Sequence, residues 1–214
     1  MHAVSIASSQ GEPEAKRRAH AEISKDFGAG GLLLGVRMCE ADESTLVARS
    51  KGGDWEAFAE LVRRHQRMIH ALTYRMCDSP AYSEDLAHET FVRAYRSLGT
   101  FRGESKFSSW LYRIAINLCI RWRRSEVRRA NAESAWADCA KQDSGDDTAS
   151  ERVHVALARL SPKLRAAVVL TALEGLSHAE AAHVLGCAEK TLSWRLFVAR
   201  RRLGAMLGAP REGL

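Results

Sequence analysis

Apolar residues recur at three- and four-residue intervals in three stretches of the first half of the chain, 55–72, 86–98 and 107–122. This is the spacing of one face of an α-helix, so the pattern predicts three amphipathic helices. Asp54 and Ser83 precede the first two stretches and are predicted to be their N-caps, because their side chains can accept a hydrogen bond from the first helical turn.

The second half of the chain predicts another helix and then a helix-turn-helix. The pair Ser161–Pro162 indicates a helix start, since proline is favoured at the first helical position. Ser177 is predicted to cap a short helix over 178–185, and Gly186 to form the tight turn into a longer helix over 189–203. Nowhere do residues alternate with the period of two that a half-buried strand requires, so the predicted fold class is all-α.

Composition divides this pattern into parts. Residues 131–150 contain five acidic residues against one lysine and few apolar ones, which is typical of a flexible linker. The sequence therefore predicts two small helical domains joined by a flexible acidic linker, the second domain containing the helix-turn-helix. The predicted boundaries are an arm at 1–41, a domain at 42–129, the linker at 130–150, a domain at 151–207 and a tail at 208–214. The arm is interpreted as disordered, or as sequence upstream of a start at Met38.

Bulk properties exclude several classes of protein. The 214 residues carry a formal net charge of +6 and 46% hydrophobic residues, which fits a globular chain with an anionic partner. Five cysteines without a Cys-x-x-Cys pair argue against a disulfide framework or a zinc site and favour a reducing compartment. No apolar run approaches the roughly 20 residues of a membrane span, so no direct membrane insertion is expected.

The helix-turn-helix is predicted to bind DNA. Between positions 188 and 203 five basic residues stand against one acidic residue, and a basic second helix suits phosphate contacts around the major groove. An ordinary helical hairpin with a solvated basic face remains the alternative.

The third helix carries a second basic segment. Residues 101–129 contain eight basic residues against two acidic ones, interleaved with Trp110, Tyr112 and Trp122. Arginines and aromatic rings together suit single-stranded nucleic acid, because cations contact phosphates and rings stack on bases. The alternative is that both tryptophans are core residues.

The acidic segment 82–89 is predicted either to complement the dipole of its helix or to dock a basic protein.

Four stretches in this order resemble the extracytoplasmic-function (ECF) subfamily of the bacterial sigma-70 family of RNA polymerase sigma factors. They are 58–65, similar to the opening helix; 83–95, similar to the segment that docks on core polymerase; 101–117, similar to the element that melts and reads the minus-ten DNA; and 160–162 followed by 174–186, similar to the minus-thirty-five reader.

The resemblance implies a factor that binds core RNA polymerase, through its largest and second-largest subunits, and promoter DNA. It implies an anti-sigma partner, a cytoplasmic location with possible retention at the membrane by that partner, no cofactor and no enzymatic activity. The core-binding residues would be Asp85, Glu89 and Phe91. The minus-ten residues would be Arg102, Ser105, Lys106, Arg113, Asn117, Arg121 and Arg124. The minus-thirty-five residues would be Ser177, Lys190, Thr191, Ser193, Trp194, Arg195, Arg200 and Arg201.

Two departures from the family pattern and three alternatives remain. Ser193 and Trp194 occupy base-facing positions where the family differs, and Arg121 stands where an acid is common.

One alternative is a helix-turn-helix regulator that acts without joining polymerase, and it leaves the segments 83–95 and 101–117 without a role. An enzyme would need a nucleophile–base pair, metal spacing or phosphate loop that the sequence lacks. A redox role of the cysteines is the third.

Overall fold

The computed structural model describes residues 42–77, 79–134 and 149–208. Within these ranges the chain forms α1 (Glu43–Lys51), α2 (Trp55–Cys77), α3 (Pro80–Ser97), α4 (Phe107–Ser134), α5 (Ala149–Ala158), α6 (Pro162–Val168), α7 (His178–Leu185) and α8 (Glu189–Leu207). A 3₁₀ turn over Leu98–Thr100 follows α3, and a π-helical turn over Val169–Leu173 follows α6. The described ranges contain no strand, so the all-α prediction is confirmed.

The predicted arm, most of the predicted linker and all of the predicted tail after Gly208 lie outside the described residues. The helices α4 and α5 reach into the predicted linker, because α4 continues to Ser134 and α5 begins at Ala149. None of the described helices is long and apolar enough to cross a membrane.

The first half of the fold is built around α2. Phe58, Leu61, Ile69, Leu72 and Met76 are all 0% exposed. Their spacing places them on one side of the helix, and α1, α3 and α4 pack around it. Burying each such side chain stabilises the fold by about 1.5–3 kcal/mol relative to leaving it exposed, so these five residues contribute substantially to the stability of this half.

The predicted cap of α2 is confirmed and that of α3 is wrong. The Asp54 carboxylate accepts a hydrogen bond from the Ala57 amide at 3.2 Å and pairs with Arg49 at 2.7 Å, and both lower its pKa. By contrast α3 begins at Pro80, three residues before Ser83. Proline favours the first helical position, where its missing N–H costs nothing, and the Ser83 hydroxyl instead donates to the Pro80 carbonyl at 2.7 Å.

In the second half, α8 packs across α5, α6 and α7. Leu192, Leu196 and Ala199 form its buried face, as the apolar pattern predicts. The two halves also contact each other, with α7 against α4 and α6 against α2 and α4. Buried residues of both halves belong to one continuous apolar cluster.

Candidate nucleic-acid interface

A polar stripe runs along the exposed side of α4. Arg113, Asn117, Arg121 and Arg124 are all exposed. At 100° per residue they fall within an arc of about 80°, and they span roughly 17 Å of helix. Leu111, Ala115, Leu118 and Cys119 anchor the opposite side in the core. The predicted minus-ten residues of α4 therefore form one continuous surface of three guanidinium groups and one amide.

The loop before α4 presents further charge from a fixed base. Phe101 and Phe107 are 8% and 2% exposed, and their ring centroids lie 5.6 Å apart, so both ends of the loop are anchored in the core. Between them the side chains of Arg102 and Lys106 are 82% and 74% exposed. Ser105 is partly buried between the two. Fixed ends with exposed cations suit the capture of a nucleic-acid strand.

The acidic side of α3 matches only part of the prediction for core binding. Asp85 is exposed, and the half-exposed Glu89 pairs with Arg93 at 2.6 Å. Phe91 is 1% exposed and lies inside the core, so its prediction as an exposed docking residue is wrong. The reason is helical period: Phe91 lies about 160° around the helix from Glu89 but only about 20° from the buried Leu98.

The helix-turn-helix is held by a capping box and a left-handed glycine. The Ser177 hydroxyl accepts from the Glu180 amide at 3.2 Å, and the Glu180 carboxylate accepts from the Ser177 amide at 3.0 Å. Gly186 has φ +59°, which favours glycine, and the Cys187 amide donates to the Ala182 carbonyl at 3.0 Å. These bonds confirm the predicted cap and turn.

The outer side of α8 carries most of the predicted minus-thirty-five residues. The exposed members of this set are Lys190, Thr191, Ser193, Trp194, Arg200 and Arg201. Arg195 is only partly exposed, because its guanidinium turns back to donate to the Cys187 sulfur at 3.5 Å. Phe197, which is not among the predicted residues, is 58% exposed beside Trp194 at 63%. The helical period could have predicted this exposure, because Phe197 directly follows the buried Leu196 and so lies outside the apolar stripe of α8.

Known proteins agree with these features. The family model for Sigma-70 region 2 matches residues 61–129, and that for Sigma-70 region 4 matches residues 150–203. The RNA polymerase sigma-H factor of Pseudomonas aeruginosa is 36% identical over 185 residues, 79% of this chain and 96% of that protein. The ECF RNA polymerase sigma factor SigM of Mycobacterium tuberculosis is 35% identical over 179 residues, 82% of this chain and 89% of that protein. The chain belongs to the ECF subfamily of sigma-70 factors.

The fold of this sigma factor is also that of a solved relative. The sigma factor RpoE from Bartonella quintana, solved in complex with the anti-sigma factor NepR, superposes with a TM-score of 0.59 at 24% identity, covering 72% of this chain and 98% of that chain. We name α1–α4 the region 2 half and α5–α8 the region 4 half.

The two halves of the sigma factor are joined by a buried carboxylate. The side chain of Glu174, which follows the π-helical turn, is 8% exposed and pairs with Arg75 of α2. Its second oxygen accepts from the Tyr112 hydroxyl of α4 at 2.7 Å. Burial first, and then this hydrogen bond, raise the pKa of the Tyr112 phenol well above its usual range. Arg165, which is fully buried, donates through Nε to the Arg75 carbonyl at 2.6 Å.

A second carboxylate joins the loop before α4 to the helix-turn-helix. Lys106 Nζ lies 3.0 Å from Glu180 Oε1, while the other Glu180 oxygen is held by Ser177. The Lys106 hydrogen bond, followed by those from Ser177, lowers the pKa of Glu180 to about 2. A predicted minus-ten residue and a predicted minus-thirty-five residue thus contact the same side chain. We call this packing of the two halves, through Glu174 and Glu180, the closed arrangement.

Proposed function

We propose that this initiation factor binds core RNA polymerase through the acidic side of α3 and reads promoter DNA through α4 and α8. The observation that carries the proposal is the presence of two separate basic surfaces, one in each half of a sigma-family chain, with an acidic helix beside the first. A regulator acting without polymerase would use the helix-turn-helix but would leave α3 and the α4 stripe without a role.

Core binding is assigned to Asp85 and Glu89. Both lie on the side of α3 away from its buried face, so they can meet a basic partner without disturbing the core. Phe91 supports this surface from beneath, as a buried residue that fixes α3 against its neighbours.

Minus-ten recognition is assigned to the loop before α4 and to the α4 stripe. Arg102, Ser105 and Lys106 would contact an unpaired strand, and Arg113 with Asn117 would hold a base turned out of the duplex. Arg121 and Arg124 would extend the contact along the backbone. Capture of unpaired bases by such a surface would favour melting, because the cations contact the phosphates of the open strand.

Minus-thirty-five recognition is assigned to α8 in the major groove. The residues concerned are Lys190, Thr191, Ser193, Trp194, Arg195, Arg200 and Arg201, with Ser177 at the start of α7. Phosphate contacts from the arginines would set the register, and the polar and aromatic side chains would read base edges.

An anti-sigma factor is the partner we propose for regulation. The support is the relative from Bartonella quintana, which was solved with one. The factor would act in the cytoplasm, where promoter DNA and polymerase meet, and a membrane-held anti-sigma partner could retain it there. As a binding protein it would need neither a catalytic residue nor a cofactor.

The test is reconstitution with core polymerase. The purified chain should bind core and support initiation at promoters found by sequencing the RNA 5′ ends that its overproduction induces. Replacing Asp85 and Glu89 together by alanine should weaken core binding at least tenfold, whereas Glu56→Ala, an exposed acid on α2, should leave it unchanged. A chain that neither binds core nor supports initiation on any promoter would refute the proposal.

A further inference from the structure

The closed arrangement creates a cleft between α4 and the region 4 half, with a volume of about 440 Å³. One wall is the outer stripe of α4, and the other is formed by the start of α6, the second turn of α8, the end of α7 and the turn at Gly186. The volume lies within the range of small-molecule sites. The cleft exists only while the two halves are in contact, because each half supplies one wall.

The charge of this cleft has one sign. Among the described residues, its lining includes Arg121, Arg124, Lys163 and Arg195 and no carboxylate. None of these four cations forms an ion pair with a described residue, whereas Arg129, farther along α4 and outside the cleft, pairs with Glu126 at 2.7 Å. Like charges gathered in one concave space repel each other, and a polyanion that entered it would relieve the repulsion.

The rest of the lining suits a heterocyclic base. Ile120 and Leu185 are partly buried side chains that pack on the core and offer an apolar surface. Asn117 adds an amide that can both donate and accept a hydrogen bond to a base edge. An inorganic anion would leave these three residues without a role.

We propose that the cleft is a binding site for a nucleoside polyphosphate, with the phosphates on the four cations and the base between Ile120, Leu185 and Asn117. Bound there, the nucleotide bridges the two halves and stabilises the closed arrangement. Because Arg121, Arg124 and Arg195 are also assigned to promoter DNA, the nucleotide competes with DNA; this second consequence depends on the proposed function, and the binding site does not.

The test is calorimetry of the full chain without polymerase or DNA, at constant ionic strength. The probes are guanosine triphosphate, adenosine triphosphate and inorganic tripolyphosphate. We expect saturable binding of at least one nucleotide at one site per chain, and at least tenfold weaker binding of tripolyphosphate. Lys163→Ala and Arg124→Ala, one from each wall, should each weaken nucleotide binding about tenfold, as expected for loss of a charge-assisted hydrogen bond.

Arg128→Ala is the matched control, since Arg128 is an exposed arginine of the same helix that does not line the cleft. Absence of saturable binding at millimolar nucleotide, or equal losses in Arg128→Ala and Arg124→Ala, would overturn the site. Equal affinity for tripolyphosphate would overturn the assignment to a nucleoside. Lys163 is not among the proposed promoter contacts, so Lys163→Ala should keep its promoter affinity and lose only its inhibition by nucleotide. A failure of the initiation assay would leave the calorimetric result standing.

Discussion

Replacement of Glu174 by alanine should open the sigma factor. Its carboxylate accepts a 2.7 Å hydrogen bond from Tyr112 in the other half of the molecule, and a hydrogen bond to a charged group contributes about 1.5–3 kcal/mol. The pair with Arg75 adds about 0–1 kcal/mol, because the Arg75 side chain is 35% exposed and solvent screens it. The sum of about 1.5–4 kcal/mol corresponds to a shift of roughly 13- to 900-fold toward separated halves.

Two measurements report this opening directly. The maximum dimension from small-angle X-ray scattering should increase in Glu174→Ala. The pKa of Tyr112, raised in the native chain, should fall toward its usual value of about 10, which ultraviolet absorption of the phenolate follows. Glu174→Gln keeps an acceptor for Tyr112 but loses the charge, so it should shift the equilibrium less than alanine does.

The matched control is Glu60→Ala. Glu60 also binds two arginines, Arg63 at 3.0 Å and Arg64 at 2.9 Å, but both lie on its own helix. This variant should leave the scattering curve and the Tyr112 titration unchanged. If Glu174→Ala kept the native dimension and the native tyrosine titration, the assignment of the closed arrangement to this carboxylate would be refuted.

Opening also bears on promoter binding. Lys106 and Glu180 lie 3.0 Å apart in the closed arrangement. The minus-ten and minus-thirty-five elements are named for positions 25 base pairs apart, which corresponds to roughly 85 Å of B-form DNA at about 3.4 Å per base pair. With the promoter contacts proposed above, the closed arrangement would not place both halves on one promoter. Only the open fraction of the molecules would then bind core and promoter. Glu174→Ala should therefore raise the apparent affinity, at most by the factor by which it increases the open fraction.

Three further predictions concern single sites. Phe91→Ala should destabilise the chain by about 3–5 kcal/mol, measured by urea unfolding, while Phe91→Leu costs much less; an unchanged midpoint for the alanine variant would contradict its burial. Gly186→Ala should lower stability by about 1 kcal/mol because φ is +59°, whereas Gly204→Ala inside α8 should raise it; the reverse order would show that the turn has another geometry. Cys119, whose pKa is raised by the neighbouring Cys77 thiol and by burial, should react with a disulfide reagent only on unfolding, and fast labelling of the native chain would contradict this.

Much of the fold could be predicted from the sequence, because local signals agree with the tertiary packing. The cap at Asp54, the proline start at Ser161–Pro162 and the turn at Gly186 depend on backbone geometry that one residue type satisfies best. The start of α3 was misplaced because two local signals competed there, a serine hydroxyl and a proline ring, and the proline decides the first turn.

The candidate site was less predictable, and the difference has two physical causes. The burial of Phe91 follows from the helical period, which can be read from the sequence. The motif that suggested Phe91 as a docking residue does not take this period into account. The contacts of Glu174 and Glu180 were not available, since each joins residues 62 to 99 positions apart in the chain. No periodicity or capping signal records such a pair, and only the packing of the two halves reveals it.

The carboxylates of Glu174 and Glu180 are important because they reduce the repulsion between two basic halves. The α4 stripe and α8 are both basic, so contact between their halves brings like charges together, and the cleft cations form no ion pair with the described residues. Glu174 and Glu180 supply the negative charge on the region 4 side of the contact. In the proposed function, promoter DNA would instead offer phosphates to both basic surfaces, and only after the halves separate. The same cations therefore favour either DNA or an anion in the cleft, and the two acidic contacts determine how much free energy separates these states.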